Sequence, residues 1–125
     1  MLQLRSLVKV ADNSGAKTVR VFTVLGGSRK RYAQIGELVV ASVQTADPKH
    51  MNKMVKKRDV VRCVVVRQRH PIRRRDGSVL RFDENAVVIV DEKKQPKATR
   101  IFGPIPRELK EKGFDSIFSM AEEVV

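Results

Sequence analysis

The sequence predicts an all-β fold: a small barrel of five or six short strands, followed by short C-terminal helices. Three observations carry that expectation. The apolar residues lean on Val rather than on aromatics, with no Trp and one Tyr among 125 residues, and branched side chains favour strands. Apolar runs are short and separated by Gly, Gly-Gly and Asp-Gly signals, the rhythm of barrels and sandwiches rather than of βαβ units. After the polar stretch 91–100 the chain changes character, with Pro, Gly and charged residues placed as helix starts and stops.

Taken in order, Leu7 to Val10 is a short first strand, and Thr18 to Leu25 partly alternates before Gly26-Gly27 ends it. Between them Asp12-Asn13-Ser14-Gly15 is a turn, since Asn and Asp tolerate left-handed backbone and Gly adopts it freely. Leu38 to Thr45 follows Ile35-Gly36 and stops before Pro48, and Val60 to Arg69 is long and Val-rich. Val79 to Phe82 and Ala86 to Val90 complete the set. The Asp76-Gly77 reversal predicts a two-stranded ribbon joining Val60–Arg69 to Val79–Phe82, with arginines at its tip. Closing the remaining strands into a barrel removes their exposed edges. Near the end, Pro106 suits a first helical position and Gly113 a stop; Asp115 then caps a second short helix carrying Phe114, Ile117, Phe118 and Ala121 at spacings of three and four.

At 14.2 kDa the chain has the size of one domain, 1–125, with barrel and ribbon over 1–92 and the C-terminal loop and helices over 93–125. A chain this long buries roughly two-thirds of its unfolded surface in a single core. The single cysteine, Cys63, excludes an intramolecular disulfide and suits a reducing cytosol. Its place in the Val run VVRCVVV marks a buried, inert thiol. No long apolar segment suggests a signal peptide or membrane span, so a soluble, intracellular protein without membrane contact is expected. His50, His70 and Cys63 lie at no metal-ligand spacing and no nucleophile has an evident base, so neither an enzyme, nor a cofactor, nor a small-molecule substrate is expected.

Charge carries the functional signal. Lys and Arg number 26 against 14 acidic residues, for a net charge of +12 and a pI near 10.5. The excess is concentrated: 47–82 holds twelve cations and three acids, whereas 83–125 holds seven cations and nine acids. Such crowding repels itself unless a polyanion lies between the charges, which points to nucleic acid. The stretch RQRHPIRRRDGS places Arg67, Arg69, Arg73, Arg74 and Arg75 around one turn, with His70 as a stacking or phosphate-side residue. A guanidinium both forks onto phosphate and stacks on bases. In GGSRKRY, two glycines precede Arg29, Lys30, Arg31 and Tyr32: backbone N–H groups and cations for a phosphate, and a ring to stack on a base or sugar. Lys49, Lys53, Lys56 and Lys57 crowd another loop, and Lys17 and Lys97 complete the candidate RNA-binding set.

Several stretches converge on a family. VADNSGAKTVRVFTVLGGS and VVRCVVVRQRHPIRRRDGSVLRFDENAVVIVDEKKQPKATRIFGPIPREL resemble the universal large-ribosomal-subunit protein numbered fourteen, of bacterial type. Agreement is densest at Val64-Val65-Val66, Asp76-Gly77, Phe82, Asn85, Val88-Ile89 and Thr99-Arg100-Ile101-Phe102-Gly103-Pro104. Cys63 departs from the small Gly or Ala of the pattern and is small enough to fit. The resemblance implies a five-stranded β-barrel with a projecting β-ribbon, built into the ribosome of the cytoplasm as a structural constituent of the large subunit. It implies four partners: large-subunit rRNA, small-subunit rRNA across an intersubunit bridge, neighbouring large-subunit ribosomal proteins, and a ribosome-silencing factor. Carried over by motif, Thr99 and Arg100 fall at the silencing-factor site, and Phe114, Ile117 and Phe118 form an apolar face that serves either that partner or the core. The alternative is a free RNA-binding translation or RNA-chaperone factor on an OB-like barrel, which would need more aromatic platforms than one Tyr and five Phe provide.

Overall fold

The computed structural model describes residue 2 and residues 5–26, 31–46 and 58–125. Five of its strands, β1 (Leu7–Val10), β2 (Ala16–Val24), β3 (Leu38–Ala46), β4 (Val60–Arg67) and β7 (Ala86–Val90), close into a barrel in the order β1-β2-β3-β4-β7. All neighbours are antiparallel except the closing pair, β1 with β7, where Lys9 lies opposite Ala86 and Val10 opposite Val87. Along β2, Ala16, Val19, Val21 and Val24 are buried while Lys17, Arg20 and Phe22 are exposed, the period-2 pattern of a strand with one wet face. A five-stranded barrel encloses little volume, so Val8, Val19, Val21, Val39, Ala41, Val43 and Cys63 fill it without large rings. Each buried Val contributes about 1.5–3 kcal/mol.

Two strands break the alternation. All five residues of β7 are buried, as are Cys63 to Val66 of β4. Successive side chains point to opposite faces, so both faces of this pair are covered. The cover comes from the C-terminal segment, whose Ile101, Ile105, Leu109, Phe114 and Ile117 belong to the same core cluster. That segment is β8 (Ile101–Ile105), α1 (Glu108–Glu111), α2 (Asp115–Met120) and β9 (Ala121–Val124), with β8 and β9 paired in parallel. Neither strand is expected from the sequence: Gly103 and Pro104 interrupt β8, and a parallel pair needs a crossover that no local signal announces. Asp115 is not the cap of α2; Phe114 occupies that position and makes no side-chain capping bond.

The expected ribbon is also corrected. β4 pairs with β7, not with Val79–Phe82, and the hairpin is a separate two-rung ladder of β5 (Ile72–Arg73) and β6 (Val79–Leu80), with Ile72 opposite Leu80 and Arg73 opposite Val79. The apolar run CVVV needs an equally apolar neighbour, which AVVIV supplies and the exposed Val79 does not.

The turn at 12–15 ties these layers together. Asp12 is buried; its Oδ1 accepts from Ser14 N (3.1 Å) and Ser14 Oγ (2.6 Å), and its Oδ2 from Ile89 N in β7 (2.9 Å). Asn13 Oδ1 accepts from the backbone N–H of Thr99 and of Arg100, each at 3.0 Å. What reads locally as a turn is therefore the junction between barrel and C-terminal segment.

Candidate nucleic-acid interface

The arginine tip is organised by hydrogen bonds within the hairpin. Gly77 N donates to Arg74 O (3.1 Å), and Arg74 N donates to Ser78 O (2.9 Å). Gly77 sits at φ +89° with open space around it, so its requirement is backbone conformation alone. Asp76 Oδ1 accepts from Ser78 N (3.0 Å) and Ser78 Oγ (2.6 Å); those bonds, with smaller help from Arg107 and Arg74, hold its carboxyl below the usual carboxylate range.

The three tip arginines differ in role. Arg74 Nε and Nη2 fork onto the Glu108 carboxylate of α1 at 2.8 and 3.3 Å, and Nη2 also donates to Val125 O at 2.7 Å. Its side chain is only 15% exposed: it pins the hairpin to the C-terminal segment. Arg73 and Arg75 are exposed and form no ion pair with a described residue. Anchoring the middle residue holds its two neighbours outward.

Arg67 is engaged within the protein in the same way. At the end of β4 its guanidinium donates to Pro104 O (2.9 Å) and Phe102 O and approaches Glu84 at 3.4 Å, and burial lowers its pKa. Gly103 makes room for it: a Cβ there would lie 2.6 Å from Arg67 Nη2. Arg67 is thus a latch on β8 and is occupied within the protein. Next to it Gln68 is buried, accepting from Ile35 N (3.2 Å) and donating to His70 O (3.1 Å).

The remaining candidates divide between two sides. Arg69 is exposed at the hairpin stem, and Arg81, which is not among the sequence-derived candidates, is exposed on the returning chain. Around the 12–15 junction lie Lys17, Thr99 and Arg100, all exposed, with the Arg100 guanidinium 5.6 Å from the ring centre of the exposed Phe102 and 3.2 Å from Glu122. Lys17, Lys9, Asn13 and Phe102 line a cavity of about 460 Å3 there. Arg31, Tyr32 and Lys97 are exposed too. Arg29, Lys30, Lys49, Lys53, Lys56 and Lys57 lie outside the described residues. Arg20 and Arg62 on the barrel wall are further cations absent from the sequence-derived set, although strand alternation alone places them outward.

Of the expected partner-facing aromatics and aliphatics, Phe114 and Ile117 are in the core, because the cover over β4 and β7 requires them; as exposed contacts both are corrected. Phe118 is half-buried, 5.3 Å from Lys110 Nζ. Cys63 is fully buried, and burial, aided by the Asp12 charge, pushes its thiol pKa far above the ordinary value. Among the described residues no group of three or more His, Cys, Asp or Glu could hold a metal ion, and no helix is long and apolar enough to cross a membrane.

Barrel, pinned hairpin and exposed arginines without an ion pair among the described residues together define a small basic β-barrel. The whole chain, residues 1–125, matches the family described as Ribosomal protein L14p/L23e. The protein belongs to that family and is a structural component of the large subunit, at work in the ribosome.

Proposed function

We propose that this protein binds large-subunit rRNA through the hairpin and its stem, with Arg69, Arg73 and Arg75 on the phosphates. The observation that carries this reading is the division of labour at the tip, where Arg74 is bonded to Glu108 while Arg73 and Arg75 stay unpaired on a rigid support. A hairpin backbone already held in place loses less conformational entropy when its arginines meet phosphate. The other exposed cations, Lys17, Arg31 and Lys97, with Tyr32 as a stacking ring, extend the surface, and Arg29, Lys30, Lys49, Lys53, Lys56 and Lys57 add charge from neighbouring stretches of the sequence. Family membership supports three finer roles: contact with small-subunit rRNA in an intersubunit bridge, packing beside other large-subunit proteins, and docking of a ribosome-silencing factor at Thr99 and Arg100.

The test is co-sedimentation of tagged protein with large subunits through washes of rising salt. Wild type is expected to stay on the particle at moderate salt, and the Arg73→Ala, Arg75→Ala double variant to be released earlier with its folding unchanged. Equal retention of both would remove the tip from the interface. For the silencing factor, Thr99→Ala with Arg100→Ala should weaken pull-down of the factor more than assembly. Parallel loss would mean that the pair, bonded through its backbone to Asn13, serves the fold instead.

A further inference from the structure

A cavity of about 510 Å3 lies at the hairpin stem, between residues 69–71 and 81–85. Its volume falls within the roughly 300–1,000 Å3 of small-ligand sites and accommodates one nucleotide. Its walls are held by hydrogen bonds: Arg69 N donates to Asn85 Oδ1 (2.9 Å), Gln68 Nε2 to His70 O (3.1 Å), and Phe82 N to Gln68 O (3.2 Å), which joins the two sides. Phe82 of the lining is buried, and so is Gln68, which bonds to both sides.

The rim has the opposite character. Arg69, His70 and Arg81 are exposed, and none makes an ion pair with a described residue. Two guanidinium groups on facing segments of one cavity suit a single phosphate, which both can fork onto. His70 adds a flat ring face and Pro71 an apolar surface against which a base can pack, and the Asn85 amide supplies a polar edge. Asp83 is the one acid of the lining; it repels a second phosphate and can accept from a ribose hydroxyl or a base N–H.

We infer that this cavity takes one unstacked nucleotide of the bound RNA, its phosphate between Arg69 and Arg81 and its base against His70 and Pro71. The inference rests on the RNA-binding reading above and adds a cavity for one nucleotide to a surface otherwise made of exposed cations and the Tyr32 ring. Double-helical RNA keeps its bases in the stack, so the site selects a loop, bulge or strand end.

The experiment titrates the full-length protein with nucleoside monophosphates and, separately, with inorganic phosphate, following the His70 ring resonances. The expected result is saturable shifts with the nucleotides, affinity for phosphate alone about tenfold weaker, and loss of about tenfold or more in nucleotide affinity for each of Arg69→Ala and Arg81→Ala, the scale of one charged hydrogen bond. Arg62→Ala on the barrel wall should change nothing. Phosphate binding as tightly as the nucleotides, or unchanged affinity in both stem variants, would overturn the inference. Large-subunit rRNA binding measured on the same variants separates the two readings: rRNA bound equally by wild type and both stem variants removes the nucleotide site, and Arg69 with it, and leaves the tip contacts of Arg73 and Arg75 standing, whereas no rRNA binding by wild type removes the function it rests on.

Discussion

At the scale of single residues, buried polar groups decide more than the exposed charges do. The Asp12 carboxylate satisfies two backbone N–H groups and the Ser14 hydroxyl at the junction of β1, β7 and the C-terminal segment. Asp12→Ala should therefore cost about 3 kcal/mol in urea unfolding, since buried donors are left without acceptors. Burial raises the Asp12 pKa above its ordinary 3.8 despite those bonds. The folded state thus holds the proton more tightly than the unfolded chain, and the stabilisation linked to it is full below 3.8 and lost as pH rises through the raised value. A carboxyl NMR titration should place its midpoint above 3.8, and a midpoint at or below it would refute the assignment. Arg67 and Gly103 form a second such unit. Gly103 has φ +79° and no room for a Cβ beside the guanidinium, so Gly103→Ala should cost about 1–3 kcal/mol. In an Arg67→Ala background the steric part disappears, and a double-mutant cycle should show the two substitutions to be non-additive. The Cys63 thiol should resist a thiol reagent in the native protein and react once unfolded, as its burial demands.

Elements divide into those that support themselves and those that borrow support. The barrel strands pair on both sides, whereas the β5–β6 hairpin has two rungs and would be marginal alone. Its stability comes from Arg74 on Glu108 and from Ile72 and Leu80 packed against the core. Glu108→Gln should loosen the tip, raising amide exchange at residues 75–78 without lowering global stability by more than about 1–2 kcal/mol. RNA affinity should fall with it, through the tip that Glu108 supports; unchanged exchange would mean that the hairpin holds itself. Residue patterning makes β1, β2, β3 and β7 legible in the sequence, because a half-wet or fully apolar strand writes its environment into its own residues. β8 and β9 are not legible there, since Gly103 and Pro104 in one and two glutamates in the other resemble loop, and their pairing depends on a partner some twenty residues away.

For the whole molecule, the relevant quantity is how a net charge of +12 is arranged. If about six to ten cations meet phosphate, the log–log salt dependence of RNA binding should have a slope of roughly −0.7 to −0.9 per contact, and each removed cation should flatten it by about that amount. Arg73→Ala should do so; Arg74→Ala should instead unsettle the hairpin, which a melting curve separates from charge loss. Composition and local pattern by themselves determined a basic, Val-rich barrel, a tight arginine turn and a buried thiol, because charge, alternation and turn chemistry are properties of neighbouring residues. Only the tertiary structure decided which arginines are free: Arg67 and Arg74 find acceptors 34 to 51 residues further along the chain, and Arg69 and Arg81 face one cavity from separate segments. A charge is available to a partner only when folding brings no acceptor to it, and that is settled by distances in space that no local stretch of sequence contains.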